Sequence, residues 1–211
     1  MICVTFSKPT VEQFLSQHPD VHMIELRLDL MKLDDAQLCR ILSLPVDVIA
    51  TCRPNEQMSE KQRYALLCQC ISLSARYVDV EIESGTKFIS AIKSFATKHK
   101  CKLILSYHNF EKTPELPELE DIAEHCHAEQ ADIVKIACMV KNEHDILNLK
   151  SLYSTNYPVI ALGMGEKGII TRIKACEWGA PFSFAAATSE TATAPGQVDY
   201  KTIRNFNAFK K

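Results

Sequence analysis

The sequence predicts an α/β fold, a single-domain (β/α)8 TIM barrel, on three observations. Short β-branched runs alternate with longer stretches of helical periodicity along the whole chain. Eight such pairs fit into 211 residues, roughly 26 residues per unit, near the short end of the range for that barrel. The fingerprint of the competing doubly wound sheet is missing: no G-x-G-x-x-G follows the first run, and Gly163, Gly165 and Gly168 follow the seventh at the wrong spacing.

Strands are expected over 2–6, 23–29, 46–52, 77–83, 102–107, 132–138, 158–164 and 182–186, where apolar and β-branched residues run between polar turns. Helices are expected over 10–17, 34–43, 59–75, 86–99, 117–129, 142–154, 166–177 and 199–209. Ser59 with Gln62 forms a capping box at the start of the third helix, Asn142 with Asp145 resembles one at the sixth, and Pro117 suits a first helical turn. The polar stretch 187–198 after the eighth strand is expected to be a mobile loop over a site. With no repeat, low-complexity segment or linker, residues 1–211 form one expected domain.

The 46% hydrophobic and 24% charged composition is that of a globular protein. Twenty-four Lys and Arg against 26 Asp and Glu leave a formal charge of -2, which lacks the basic excess that holds a phosphate backbone, so nucleic acid is not the expected partner. No basic n-region with a cleavage site and no membrane-length apolar run is seen, so neither secretion nor membrane insertion is expected. Nine cysteines, an odd number without a CxxC pair, fit reduced thiols in a cytoplasmic protein.

A barrel fills its interior with branched apolar side chains and keeps its chemistry at the C-terminal strand ends, so charges inside apolar runs mark the candidate site. On the second strand Glu25, Arg27 and Asp29 share one face at a two-residue period. Arg53 ends the third strand, Asp79 and Glu81 lie on the fourth, His108 closes the fifth, and Lys135 stands in the sixth. His108 taken singly is more often a structural histidine. His125 and His127 are split around their helix by two-residue spacing, which argues against a shared metal.

Lys135 is the most informative of these. An ammonium among Ile, Val and Ala requires partners or a lowered pKa. Desolvation that frees the amine meets the requirement for an imine-forming nucleophile. The bland alternative is a structural lysine paired with Asp79 or Glu81.

Together these residues resemble the type I 3-dehydroquinate dehydratases. The likeness is carried by Glu25-Leu-Arg27-Leu-Asp29, Thr51-Cys-Arg53, Asp79-Val-Glu81, Ser106-Tyr-His108-Asn-Phe, Asp132-Ile-Val-Lys135-Ile-Ala, Met164-Gly-Glu-Lys-Gly168-Ile-Ile-Thr-Arg172 and Ala194-Pro-Gly-Gln197. The resemblance implies loss of water from 3-dehydroquinate, with Lys135 as the Schiff-base lysine, His108 as the proton-transfer residue and Glu56 as the carboxylate that orients it. It also implies a substrate-binding set of Glu25, Arg27, Arg53, Arg172, Thr193, Gln197 and Thr5, joined by Asp79 and Glu81, with Met164 and Phe184 as walls. Thr193 stands where many members have serine, and the hairpin that often closes the barrel bottom in the family has no counterpart before the first strand. No metal or organic cofactor is implied, and a homodimer is. The nearest rival is another lysine-imine barrel lyase of aldolase type, which would share Lys135 but cleave a carbon–carbon bond.

Overall fold

The structure, a computed structural model, describes residues 1–208. Its strands are β1 (Ile2–Phe6), β2 (Met23–Arg27), β3 (Asp47–Thr51), β4 (Tyr77–Glu81), β5 (Lys102–Asn109), β6 (Ile133–Met139), β7 (Val159–Met164) and β8 (Ser183–Ala186). Between and after them come α1 (Val11–Gln17), α2 (Asp35–Leu42), α3 (Glu60–Ser72), α4 (Thr86–Lys98), α5 (Leu116–Ala128), α6 (Glu143–Ser151), α7 (Ile169–Trp178) and α8 (Tyr200–Ala208). All the pairings are parallel; they run in order from β1 to β7, and β8 returns to pair with β1. The expected barrel is therefore the observed one, nearly closed. Residue 209, the last of the helix expected over 199–209, lies outside the described residues.

Local chemistry sets the element ends. Ser59 with Gln62 and Asn142 with Asp145 both form full capping boxes, and Asp34 with Gln37 forms a third at α2. β4 stops at Glu81, earlier than expected, because Ile82–Ser84 wind into a 3-10 turn that leads into Gly85 at φ 82°. Conversely, β5 outruns its expected end because its ladder with β6 continues through His108↔Ala137 and Asn109↔Cys138. His108 thus sits on a rigid strand and not on a loop. The helix expected over 166–177 begins as a 3-10 turn, Glu166–Gly168, before α7.

Strand side chains alternate between the barrel interior and the helix layer. Outward residues such as Val4, Ile24, Val78, Leu103 and Ile136 pack under the helices in the larger core. Inward, Met23, Tyr77, Ile133 and Phe182 fill the bottom from the even strands, and Cys3, Ile49, Ile104 and Ile160 from the odd strands lie above them. The Phe182 ring meets those of Tyr77 at 5.7 Å and Phe184 at 5.5 Å. Buried apolar side chains thus fill the barrel bottom. One step up the two-residue period, the even strands present Glu25, Asp79, Lys135 and Phe184, and there the apolar core gives way to charge.

All nine cysteines are free, and six of them are buried. Among the described residues no helix is long and apolar enough to cross a membrane.

Candidate active site

Burial of three charged side chains in one layer is tolerable only if they are paired. Lys135 Nζ lies 2.8 Å from Asp79 Oδ2, with Asp79 fully buried beneath it. Arg53 Nη1 lies 2.9 Å from the other oxygen, Oδ1, which also accepts from Ser106 Oγ at 2.6 Å. Glu25 is held by two hydroxyls, accepting from Thr5 Oγ1 and Thr51 Oγ1 at 2.8 Å each. The Phe184 ring, from the same layer, faces the Lys135 ammonium at 4.5 Å from the centroid. The lysine is thereby fixed by a carboxylate on one side and an aromatic face on another.

At the rim, Arg53 Nε lies 3.7 Å from Glu81 Oε1, and His108 Nδ1 lies 3.1 Å from the same oxygen. That imidazole nitrogen is buried and meets the carboxylate at contact distance, without strict hydrogen-bond alignment. Arg27 forks onto Asp29, with Nη2 to Oδ2 at 2.7 Å and Nε to Oδ1 at 3.1 Å. A chain of alternating charge therefore runs Lys135–Asp79–Arg53–Glu81 from floor to rim and ends against the imidazole of His108.

This chain decides protonation. Burial would raise the Asp79 pKa, but Arg53 and Lys135 outweigh it and hold the carboxyl well below the usual range. Burial likewise opposes ionisation of Glu81, and His108 with Arg53 overrides it. For His108, burial and then the Arg53 charge push the pKa down to about 4, against a smaller upward pull from Glu81. The imidazole is neutral at pH 7 and able to accept a proton.

A cavity of about 320 Å³ opens above this floor. Among the expected residues, Lys135, His108, Glu25, Arg27, Arg53, Glu81, Arg172, Thr193, Gln197, Met164 and Phe184 all line it. Three of the expected residues stand elsewhere. Thr5 and Asp79 are fully buried behind the cavity lining, so they fix Glu25, Lys135 and Arg53 and do not reach the cavity. Glu56 is exposed on the turn bridged by Asn55 and Met58, and the carboxylate against His108 is Glu81 instead. The placement follows from register: Glu81 ends a strand adjacent to that of His108, whereas Glu56 follows Arg53 on an exposed turn. Wall residues missed in the sequence include Leu162, Ala137 and Phe110. The Phe110 ring stacks on His108 at 6.2 Å, although more than half of that residue is exposed.

The loop after β8 is docked over the cavity. Gly165 N donates to Pro195 O at 2.9 Å, and Gly196, at φ 69°, lies so close to Gly165 that an added Cβ would come 2.3 Å from its carbonyl oxygen. Gln197 accepts from Thr193 N at 2.7 Å and donates through Nε2 to Thr5 Oγ1 at 3.3 Å, which ties the loop to the hydroxyl that holds Glu25. Arg172 is almost completely buried, its Nε has no partner, and burial pushes its pKa down to about 10, still far above neutrality. An unpaired buried guanidinium in a cavity wall is an anion receptor. Among the described residues no three His, Cys, Asp or Glu side chains gather as a metal-binding group.

The fold and site together define a (β/α)8 barrel enzyme with a buried lysine at its floor. The family model of the type I 3-dehydroquinases matches residues 2–210, and the chain belongs to that family. Among its relatives, the 3-dehydroquinate dehydratase of Methanococcus vannielii is 32% identical, the match covering 97% of each chain, and that of Desulfotalea psychrophila is 29% identical over 98% of this chain and 96% of its own. A crystal structure of the type I 3-dehydroquinate dehydratase from Clostridium difficile, carrying covalently modified comenic acid, superposes with a TM-score of 0.85 at 26% identity, covering 99% of this chain and 91% of that one.

Proposed function

We propose that the chain catalyses loss of water from 3-dehydroquinate to give 3-dehydroshikimate, a step of the shikimate pathway, through an imine on Lys135. The observation that carries this reading is Lys135 itself, a buried amine at the cavity floor with Asp79 at 2.8 Å, sharing that cavity with the neutral base His108. The amine adds to the substrate ketone and water leaves, which forms a protonated imine that acidifies the neighbouring C–H. His108 takes that proton and returns it to the hydroxyl that departs one carbon further on. Water then hydrolyses the imine, so the net change is one water lost.

Asp79 suits both ends of this sequence. The positive charge on Nζ is present in the ammonium and again in the protonated imine, so a carboxylate fixed by Arg53 and Ser106 stabilises it without reorganising. The proton that Lys135 sheds before attack does not stay on Asp79, which is held ionised. His108 is the acceptor the cavity offers, and it passes that proton to the hydroxyl that the tetrahedral adduct loses as water, so the imidazole is neutral again before it takes the C–H proton. Glu81 aligns the imidazole, and the ring of Phe110 shields it. Arg172 receives the substrate carboxylate, while Glu25, Arg27, Arg53, Thr193 and Gln197 face its hydroxyls. Met164 and Phe184 are walls.

The test is turnover by the purified chain, followed through the conjugated product's ultraviolet absorbance. Formation of 3-dehydroshikimate supports the proposal, and a folded protein without turnover contradicts it. Arg172→Ala is expected to raise KM at least tenfold, since a charge-assisted pair to a carboxylate is worth about 1.5–3 kcal/mol. An unchanged KM would move the carboxylate anchor to Arg53 or Arg27.

A pH profile tests the histidine assignment. Because the folded pKa of His108 lies near 4, below the ordinary 6.5, the base stays available as pH falls to about 5. The same shift favours the folded state above pH 6.5, an advantage lost as pH falls through 6.5 towards 4. The acid limb of kcat/KM is expected below pH 6, and a limb centred at 6.5 would contradict a buried His108 base. The free thiols support a cytoplasmic setting, and the family resemblance a homodimer, which light scattering of the purified chain tests.

A further inference from the structure

Arg172 belongs to a helix, yet it lines a cavity built from strand ends. The explanation lies in the sheet. Among the described residues no ladder joins β7 to β8, and α7 packs against both strands. An unpaired strand edge leaves buried backbone groups that need partners, and here side chains supply them. Tyr153 Oη accepts from Ala161 N at 3.0 Å and donates to Ala161 O at 2.9 Å. Two residues along β7, Thr171 Oγ1 accepts from Gly163 N at 2.6 Å and donates to Gly168 O at 2.7 Å. On the other side of the seam, Ser183 Oγ of β8 donates to the carbonyl of Arg172 itself at 2.6 Å.

Close backbone approach makes this possible. A Cβ added to Gly168 would come 2.5 Å from the carbonyl carbon of Gly163, and one added to Gly163 would come 2.8 Å from the Cα of Gly168. The start of α7 therefore rests directly on the β7 edge, which brings the Thr171 hydroxyl under the Gly163 N–H. No carboxylate grips the Arg172 guanidinium among the described residues, and its Nε is buried without a partner. What fixes it is the backbone at 171–172, held by Thr171 towards β7 and by Ser183 towards β8.

We propose that Thr171 is a positioning residue: its hydroxyl stands in for the missing strand pairing, and the seam it holds open delivers Arg172 to the substrate carboxylate. Tyr153 performs the same service at Ala161. The proposal rests on the assignment of Arg172 as the carboxylate receptor.

The experiment compares kcat/KM for 3-dehydroquinate and for its methyl ester, which keeps the ketone but not the carboxylate charge, in the parent, Thr171→Val, Thr171→Ser and Arg172→Ala. Thr171→Val is expected to raise KM for the acid at least tenfold with kcat within about threefold. It should also lose most of the acid-over-ester preference, towards the value in Arg172→Ala, while Thr171→Ser keeps the parent's. A preference preserved in Thr171→Val but lost in Arg172→Ala overturns the positioning role and leaves the Arg172 assignment standing. A preference preserved in Arg172→Ala overturns both. Should Thr171→Val not fold, Tyr153→Phe is measured instead: a smaller loss of the same preference supports the seam, and an unchanged preference contradicts it.

Discussion

Lys135→Met is expected to abolish turnover while leaving a folded barrel. The substitution removes the nucleophile but keeps an unbranched chain of similar length against the Phe184 ring. Removing one partner of a buried ion pair commonly costs about 3–5 kcal/mol, because the other charge is stranded. Here Asp79 keeps Arg53 at 2.9 Å and Ser106 at 2.6 Å, so its charge stays compensated and the cost falls below that range. A circular dichroism melt checks the fold, and product formation checks the chemistry. Near-normal activity in the folded variant would remove the imine from the mechanism.

His108→Ala should lower turnover by roughly 10²-fold to 10⁴-fold, the usual worth of a positioned acid–base group. The ketone still condenses with Lys135, but the proton beside the imine has lost its acceptor and the departing hydroxyl its donor. Covalent adduct is expected to form slowly and then persist, visible as added mass on the intact protein. Glu81 keeps Arg53 at 3.7 Å, so the variant does not strand a rim carboxylate. An adduct on Lys167 would show that the wrong pair has been assigned; that lysine does not line the cavity and donates to Lys141 O at 2.9 Å.

Much of this was legible because parallel barrel strands obey a strict two-residue period. Glu25, Asp79 and Lys135 stand at inward positions in apolar runs, and a side chain of that kind has to be paired, so the sequence itself marks the charged layer. What periodicity does not give is depth. Thr5 and Asp79 share the inward face with Glu25 and Glu81, but neighbouring side chains decide which of them touches the cavity, and these two are covered completely. Glu56 stands apart from the cavity lining for a related reason: spacing along the chain places it near Arg53, while the turn bridged by Asn55 and Met58 leaves it exposed. The signal for Glu81 was present, since it follows Asp79 by one period on the strand beside His108.

Arg172 and Phe110 were hidden differently. A helical arginine has no strand period to place it, and only the family resemblance pointed to it; its route into the cavity depends on a seam between β7 and β8 that no local pattern announces. The glycines that looked like a failed nucleotide fingerprint have their reason here, because Gly163 and Gly168 allow the backbone contact at that seam. Phe110 reads as an ordinary aromatic beyond a strand, and its stacking on His108 arises from the extra length of β5.

The central claim is that Lys135 forms the covalent bond to substrate. The most direct measurement is reduction with borohydride in the presence of 3-dehydroquinate, followed by mass spectrometry of the intact chain and of its peptides. The account predicts irreversible loss of activity and a single added ligand mass on the peptide that contains Lys135, absent in Lys135→Met. Turnover that survives borohydride with no added mass, or a mass carried by another peptide, would contradict it.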